Sequence, residues 1–95
     1  MKKAIVLDAK DNVATLLADV DRGDLVYVNL GQEVEEFRMP EGIRFGHKFA
    51  LKKIGKQENI IKYGEVFGRA TQDIEEGCHT HIHNVESLRG RGDLR

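Results

Sequence analysis

Cys78-His79-Thr80-His81-Ile82-His83-Asn84 places three of the chain's four histidines at every second position. Successive side chains of an extended strand point to opposite faces. The spacing therefore predicts His79, His81 and His83 on one face of a strand, with Cys78, Thr80 and Ile82 on the other. Imidazole ligates transition metals, holds anions when protonated and moves protons near neutral pH. Residues i and i+2 of a strand lie about 6.6 Å apart at Cα, and i and i+4 about 13 Å, whereas metal–nitrogen bonds are about 2 Å. Two neighbouring imidazoles can converge on one divalent ion; three from one straight strand hardly can. The expectation is a His-x-His pair on a metal, with other ligands from elsewhere and the third histidine supporting the site or touching substrate. The alternative is a solvated polar face of an edge strand.

Gly46-His47-Lys48 is the second candidate. His47 has the parity of Phe49 and Leu51 and ends a core-facing row; Lys48 points the other way with Ala50 and Lys52. Read with Lys62-Tyr63-Gly64, the segment could supply cations and a phenol for a carboxylate ligand. A lysine offers a point charge for anions, or a base where its pKa is depressed. Cys78 has the parity opposite to the histidines and reads as a small buried residue rather than a nucleophile. Arg91-Gly92-Asp93 spells an adhesion tripeptide and is taken as chance. The chain has no glycine-rich phosphate loop, no Cys-x-x-Cys pair and no Ser/His/Asp arrangement.

The elements that must position these residues read as short strands. Ala4 to Leu7 is an apolar run, followed by a turn cluster from Asp8 to Asn12. Val13, Leu16, Leu17 and Val20 fit a helical spacing, but so short a segment in a β-rich context is read as strand. Asp21-Arg22-Gly23-Asp24 reads as a hairpin-type turn, Leu25 to Leu30 as a strand, Gln32 to Arg38 as polar, and Met39 to Gly42 as a turn. His47 to Ile54 alternates as a strand, Gly55-Lys56 turns, and Asn59 to Tyr63 is β-branched. Tyr63-Gly64-Glu65 reads as a kink or bulge. Val66 to Thr71 is a further strand, and Asp73 to Gly77 a turn or one helical turn. No internal repeat or heptad is visible. The pattern is that of an all-β, barrel-like or clip-like domain with little helix.

With 95 residues the chain suits one domain with a modest core. A net charge of -1 gives no electrostatic argument for nucleic acid or a membrane surface. A single cysteine excludes an internal disulfide. With no signal peptide or spanning segment in view, a reducing, cytoplasmic setting is expected. Exposed strand edges make a homo-oligomer plausible.

Phe45-Gly46-His47-Lys48-Phe49-Ala50-Leu51, Ile61-Lys62-Tyr63-Gly64-Glu65, Gly68 through Ile74, and Gly77 through Val85 follow one another in a specific order. Over roughly residues 43–93 the chain resembles the N-terminal SAF domain, a β-clip fold, of the altronate and galactarate dehydratases. The resemblance implies a SAF-like domain over 1–85 and, over 86–95, an exposed tail similar to that family's interdomain linker. It implies loss of water beside the carboxylate of a sugar acid, giving a 2-keto-3-deoxy acid. It also implies a divalent metal, Fe2+ before Mn2+ or Zn2+. Carried over by motif, His79, His81 and His83 are the metal ligands. His47, Lys48, Lys62 and Tyr63 are catalytic, and Lys48, Lys62 and Asn84 contact substrate. Because the chain ends at Arg95, where the linker begins, it is expected to be a small subunit or stand-alone domain whose site a large catalytic subunit completes. A related lyase that removes sulfite from sulfolactate is split in this way. The reading from a different class is a non-catalytic β-clip module for binding or oligomerisation.

Overall fold

The structure, a computed structural model, describes residues 2–87. Nine strands follow one another: β1 (Lys2–Ile5), β2 (Val13–Leu16), β3 (Leu25–Leu30), β4 (Glu33–Arg38), β5 (Lys48–Ala50), β6 (Asn59–Lys62), β7 (Glu65–Ala70), β8 (His79–Thr80) and β9 (Val85–Ser87). They form a six-stranded sheet in the order β4-β3-β1-β2-β5-β8 and a three-stranded sheet in the order β6-β7-β9. Only the β1–β3 pair is parallel among the strand pairs described. The described residues contain no helix, as the all-β reading expects.

The short strands lie between two apolar cores. One gathers Leu16, Val26, Val28, Phe37, Met39 and Phe49; the other gathers Val13, Ala50, Ile54, Ile60, Ala70 and Ile74. On β2, Val13 faces one core while Ala14 and Leu16 face the other. On β5, Phe49 and Ala50 divide in the same way. Strands buried on both faces read as continuous apolar runs. Val13, Ala14 and Leu16 of β2 are buried toward both cores, which hides the period-two alternation there and leaves a spacing that also fits a helix.

One turn is used four times. A buried aliphatic residue (Val20, Ile43, Ile54, Ile74) enters it, and the residue three places on has positive φ: Gly23, Gly46, Gln57 and Gly77. That residue's N–H donates to the carbonyl of Met39, Leu16, Ala70 and Ala50 respectively, at 2.7–2.9 Å. The entering residues pair across the fold, Val20 with Ile43 and Ile54 with Ile74. A left-handed third residue is what a type II turn requires. These turns correct two expectations and decide a third, that between a turn and one helical turn. The chain does carry a repeat, in its backbone. Asp21–Asp24 leads into β3 without joining a hairpin, since β2 and β3 are not neighbours. Asp73–Gly77 is this turn and not a helical one.

Other boundaries also shift. Gln32–Arg38 contains strand β4, an edge strand whose exposed glutamates hid it. Tyr63 and Gly64 both have positive φ and Lys62 pairs with Glu65, so Tyr63-Gly64 is a two-residue hairpin loop and not a bulge. The bulge lies further in, where the register slips between Ile60 and Ile61. The exposed tail does not begin at Glu86. Val85–Ser87 pairs with β7, and Arg69 holds Glu86 at 3.1 Å. The rest of that segment, with Arg91-Gly92-Asp93, lies outside the described residues.

Candidate metal centre

The antiparallel β5–β8 ladder sets Lys48 opposite Thr80 and Phe49 opposite His79. One further step of that register brings His47 opposite His81, and their rings stack with centroids 4.5 Å apart. His47 Nδ1 lies 2.9 Å from His79 Nε2. One ligand atom from each of His47, His79 and His81 lies within 4.8 Å of the others. Three imidazoles thus converge from two neighbouring segments, which a single straight strand could not arrange.

The predicted histidine strand is corrected here. β8 stops at Thr80, and His81 to Asn84 form a turn closed by the Asn84 N–H on the His81 carbonyl at 2.9 Å. His83 is exposed at this turn, with its ring 5.3 Å from that of His79. His47, read from sequence as a catalytic candidate, is the third member of the cluster in place of His83. The signal was present in its parity with Phe49, but the pairing register that uses it is non-local.

Asn84, read as a substrate contact, is the last residue of the turn and is 5% exposed. Its Oδ1 accepts from the His81 N–H at 2.9 Å and its Nδ2 donates to the His79 carbonyl at 2.8 Å. The His79 N–H donates to Glu41 Oε2 at 2.9 Å. Neither role was legible in the sequence, since both partners are backbone atoms of a distant segment or a turn.

Burial and the neighbouring imidazoles of His81, His47 and His83 hold His79 below its ordinary pKa, against Glu41, which raises it. Burial, His47, Lys48 and His83 do the same to His81. The neutral imidazole that a metal needs is therefore favoured. An all-nitrogen donor set suits zinc or iron rather than calcium or magnesium, and the 2.9 Å His47–His79 separation is close to the spacing of two nitrogens on one ion.

Lys48, paired with Thr80, lies close enough to His81 to act on its charge, and Lys62 lies near Lys48. Both ammonium groups approach the Phe67 ring, at 5.4 and 5.8 Å from its centroid, and Lys62 also lies 5.0 Å from the centroid of Tyr63. Burial first, and then Lys62, lowers the Lys48 pKa. A cavity of about 170 Å³ opens beside them, lined by Lys48, Phe67, Thr80, His81, Ile82 and Val85 among others. Cys78 packs half-buried against the second core, and burial raises its pKa, as suits a structural thiol.

The sequence profile of the altronate/galactarate dehydratase SAF domain matches residues 2–88. The chain belongs to this family. It is similar to the altronate dehydratase of Bacillus subtilis, with 37% identity over 87 residues, covering 92% of this chain and 17% of that protein. The altronate dehydratase of Escherichia coli shows 41% identity over 83 residues, 87% of this chain and 16% of that protein. The (2R)-sulfolactate sulfo-lyase subunit alpha of Chromohalobacter salexigens shows 33% over 88 residues, covering 90% of this chain and 94% of that subunit. This SAF domain therefore spans about a sixth of the altronate dehydratases and nearly all of the sulfo-lyase subunit. Both kinds of relative are lyases by name. Among the described residues no helix is long and apolar enough to cross a membrane.

Proposed function

We propose that this SAF domain is a small subunit of a sugar-acid dehydratase, lending a metal- and carboxylate-binding surface to a site completed by a large catalytic subunit. The observation that carries the reading is the convergence of His47, His79 and His81, with Lys48 near His81, in a chain of this family. A bound divalent ion, for which iron is the first choice, would act as a Lewis acid toward the charge that develops when the proton beside the carboxylate leaves. Lys48 and Lys62 supply positive charge for the carboxylate itself. Lys48, whose pKa is lowered, is also the side chain here best suited to accept a proton. Tyr63 stands beside Lys62 as a phenol donor. His83, exposed next to His79, remains available to substrate or metal. The setting is a reducing cytoplasm, in keeping with the free thiol of Cys78.

A second reading within the lyases rests on the similarity to the sulfolactate sulfo-lyase alpha subunit, 94% of which is matched: a sulfolactate-type enzyme. One experiment addresses both. The tagged protein is recovered from its native extract, and the eluate is assayed for dehydration of altronate and galactarate and for sulfite release from sulfolactate, with and without chelator. Activity that a chelator removes, carried by a large copurifying chain, is the expected result, and the substrate turned over decides the enzyme. A lone, inactive chain would sink the proposal in favour of a binding or oligomerisation module.

A further inference from the structure

We infer that Asn84 is a positioning residue for the metal centre, setting the spacing of His79 and His81 by gripping the backbone on either side of Thr80. The inference rests on the metal reading above. Asn84 Nδ2 donates to the His79 carbonyl and its Oδ1 accepts from the His81 N–H, at 2.8 and 2.9 Å. One side-chain amide thus replaces the missing neighbour strand just where β8 gives way to a turn. Thr80, held between, is 1% exposed. The amide fixes the two peptides from which both imidazoles project. Glu41 holds the same stretch from His79 N.

The fold contains its own control. Asn12, 8% exposed, grips a second segment in the same pattern: Nδ2 donates to the Asn59 carbonyl at 2.8 Å and Oδ1 accepts from the Ile61 N–H at 2.7 Å, with buried Ile60 between. The two asparagines make matching bonds, but only one set flanks histidines. A purely structural role predicts the same consequence for removing either. A positioning role predicts that only Asn84 changes the metal centre, since groups that orient ligands typically control affinity by about 10–100-fold.

The test compares Asn84→Ala and Asn84→Asp with Asn12→Ala and Asn12→Asp in the full chain. Asn84→Asp keeps the acceptor for His81 but sets an oxygen against the His79 carbonyl. It provides a second variant should Asn84→Ala fail to fold. Thermal unfolding of the metal-free proteins is measured beside Co2+ titration followed by the d–d absorption spectrum. Both sites should lose similar stability, while only the Asn84 variants weaken Co2+ binding by about tenfold or more and alter its spectrum. Wild-type affinity and spectrum in a folded Asn84 variant, or equal weakening by an Asn12 variant, overturns the inference. If the wild type binds no Co2+, the metal reading fails by itself. Nitrogen-15 shifts of the His47 and His79 rings in metal-free protein then decide: their mutual hydrogen bond should be lost in the Asn84 variants and kept in the Asn12 variants, and its survival in both overturns the positioning role.

Discussion

His47 and His83 divide two triads that share His79 and His81. The first is assembled by pairing across β5 and β8; the second would need one extended strand that the chain breaks at Thr80. His47→Ala should abolish Co2+ binding by the isolated domain, and His83→Ala should weaken it at most severalfold, as read by titration calorimetry. The reverse ranking would reinstate the single-strand triad. The same residues set an acid limit on stability. His79 and His81 both titrate below the ordinary value of 6.5 in the metal-free fold, so between those depressed values and 6.5 the unfolded chain binds more protons than the folded one. Stability is then full above pH 6.5 and falls as the pH drops beneath it toward the folded-state values. Denaturant midpoints for metal-free wild type should decline across that window, and a variant with both His79 and His81 replaced by Gln should decline less. Equal slopes would show that these imidazoles do not carry the effect.

At the scale of the element, the recurrent turn decides more than any strand. Three of its four left-handed positions are glycine, and Gln57 occupies the fourth at φ 77°. A side chain in that region costs about 1–2 kcal/mol, partly offset by the freedom glycine adds to the unfolded chain. Gln57→Gly should therefore stabilise the domain by up to about 1 kcal/mol, seen as a rise in Tm; a fall would mean that the Gln57 side chain makes a contribution its exposed position does not reveal. This same substitution is why the repeat was invisible in sequence, since a one-residue apolar anchor and a glycine recurring three times out of four leave almost no pattern. Leu25–Leu30 was legible to the residue because its β-branched and aromatic composition is local. The all-β class and the importance of the histidine segment were legible for the same reason. The β4 strand was not, because its glutamates face solvent at a sheet edge. The membership of His47 was not, because strand register is fixed by partners distant in sequence. Gly68 belongs with these: a Cβ there would lie 2.7 Å from the Glu86 carbonyl oxygen, a constraint that exists only once β9 is docked.

Across the whole molecule, the candidate centre ties together parts that otherwise meet only through short pairings. His47 precedes β5, which lies between both cores, while His79 and His81 belong to a segment joined to the larger sheet by two residue pairs. The next strand along, β9, belongs to the smaller sheet. An ion held by these histidines would reinforce the β5–β8 edge of the larger sheet, where the ladder is only two residue pairs long. The unfolded chain offers no such preformed set of imidazoles, so binding must add to folding stability. At a free metal concentration of a hundred times Kd the gain is about 2.7 kcal/mol, and in a domain of this size each kcal/mol shifts Tm by roughly 4–8 °C. Saturating Co2+ or Zn2+ should therefore raise the Tm of the isolated domain by about 10–20 °C. Chelator should reverse the shift, and His47→Ala should eliminate it. An unchanged Tm at saturation would mean that the three imidazoles do not act as a preformed site within this chain, and would move the centre of the metal-binding hypothesis to residues supplied by a partner.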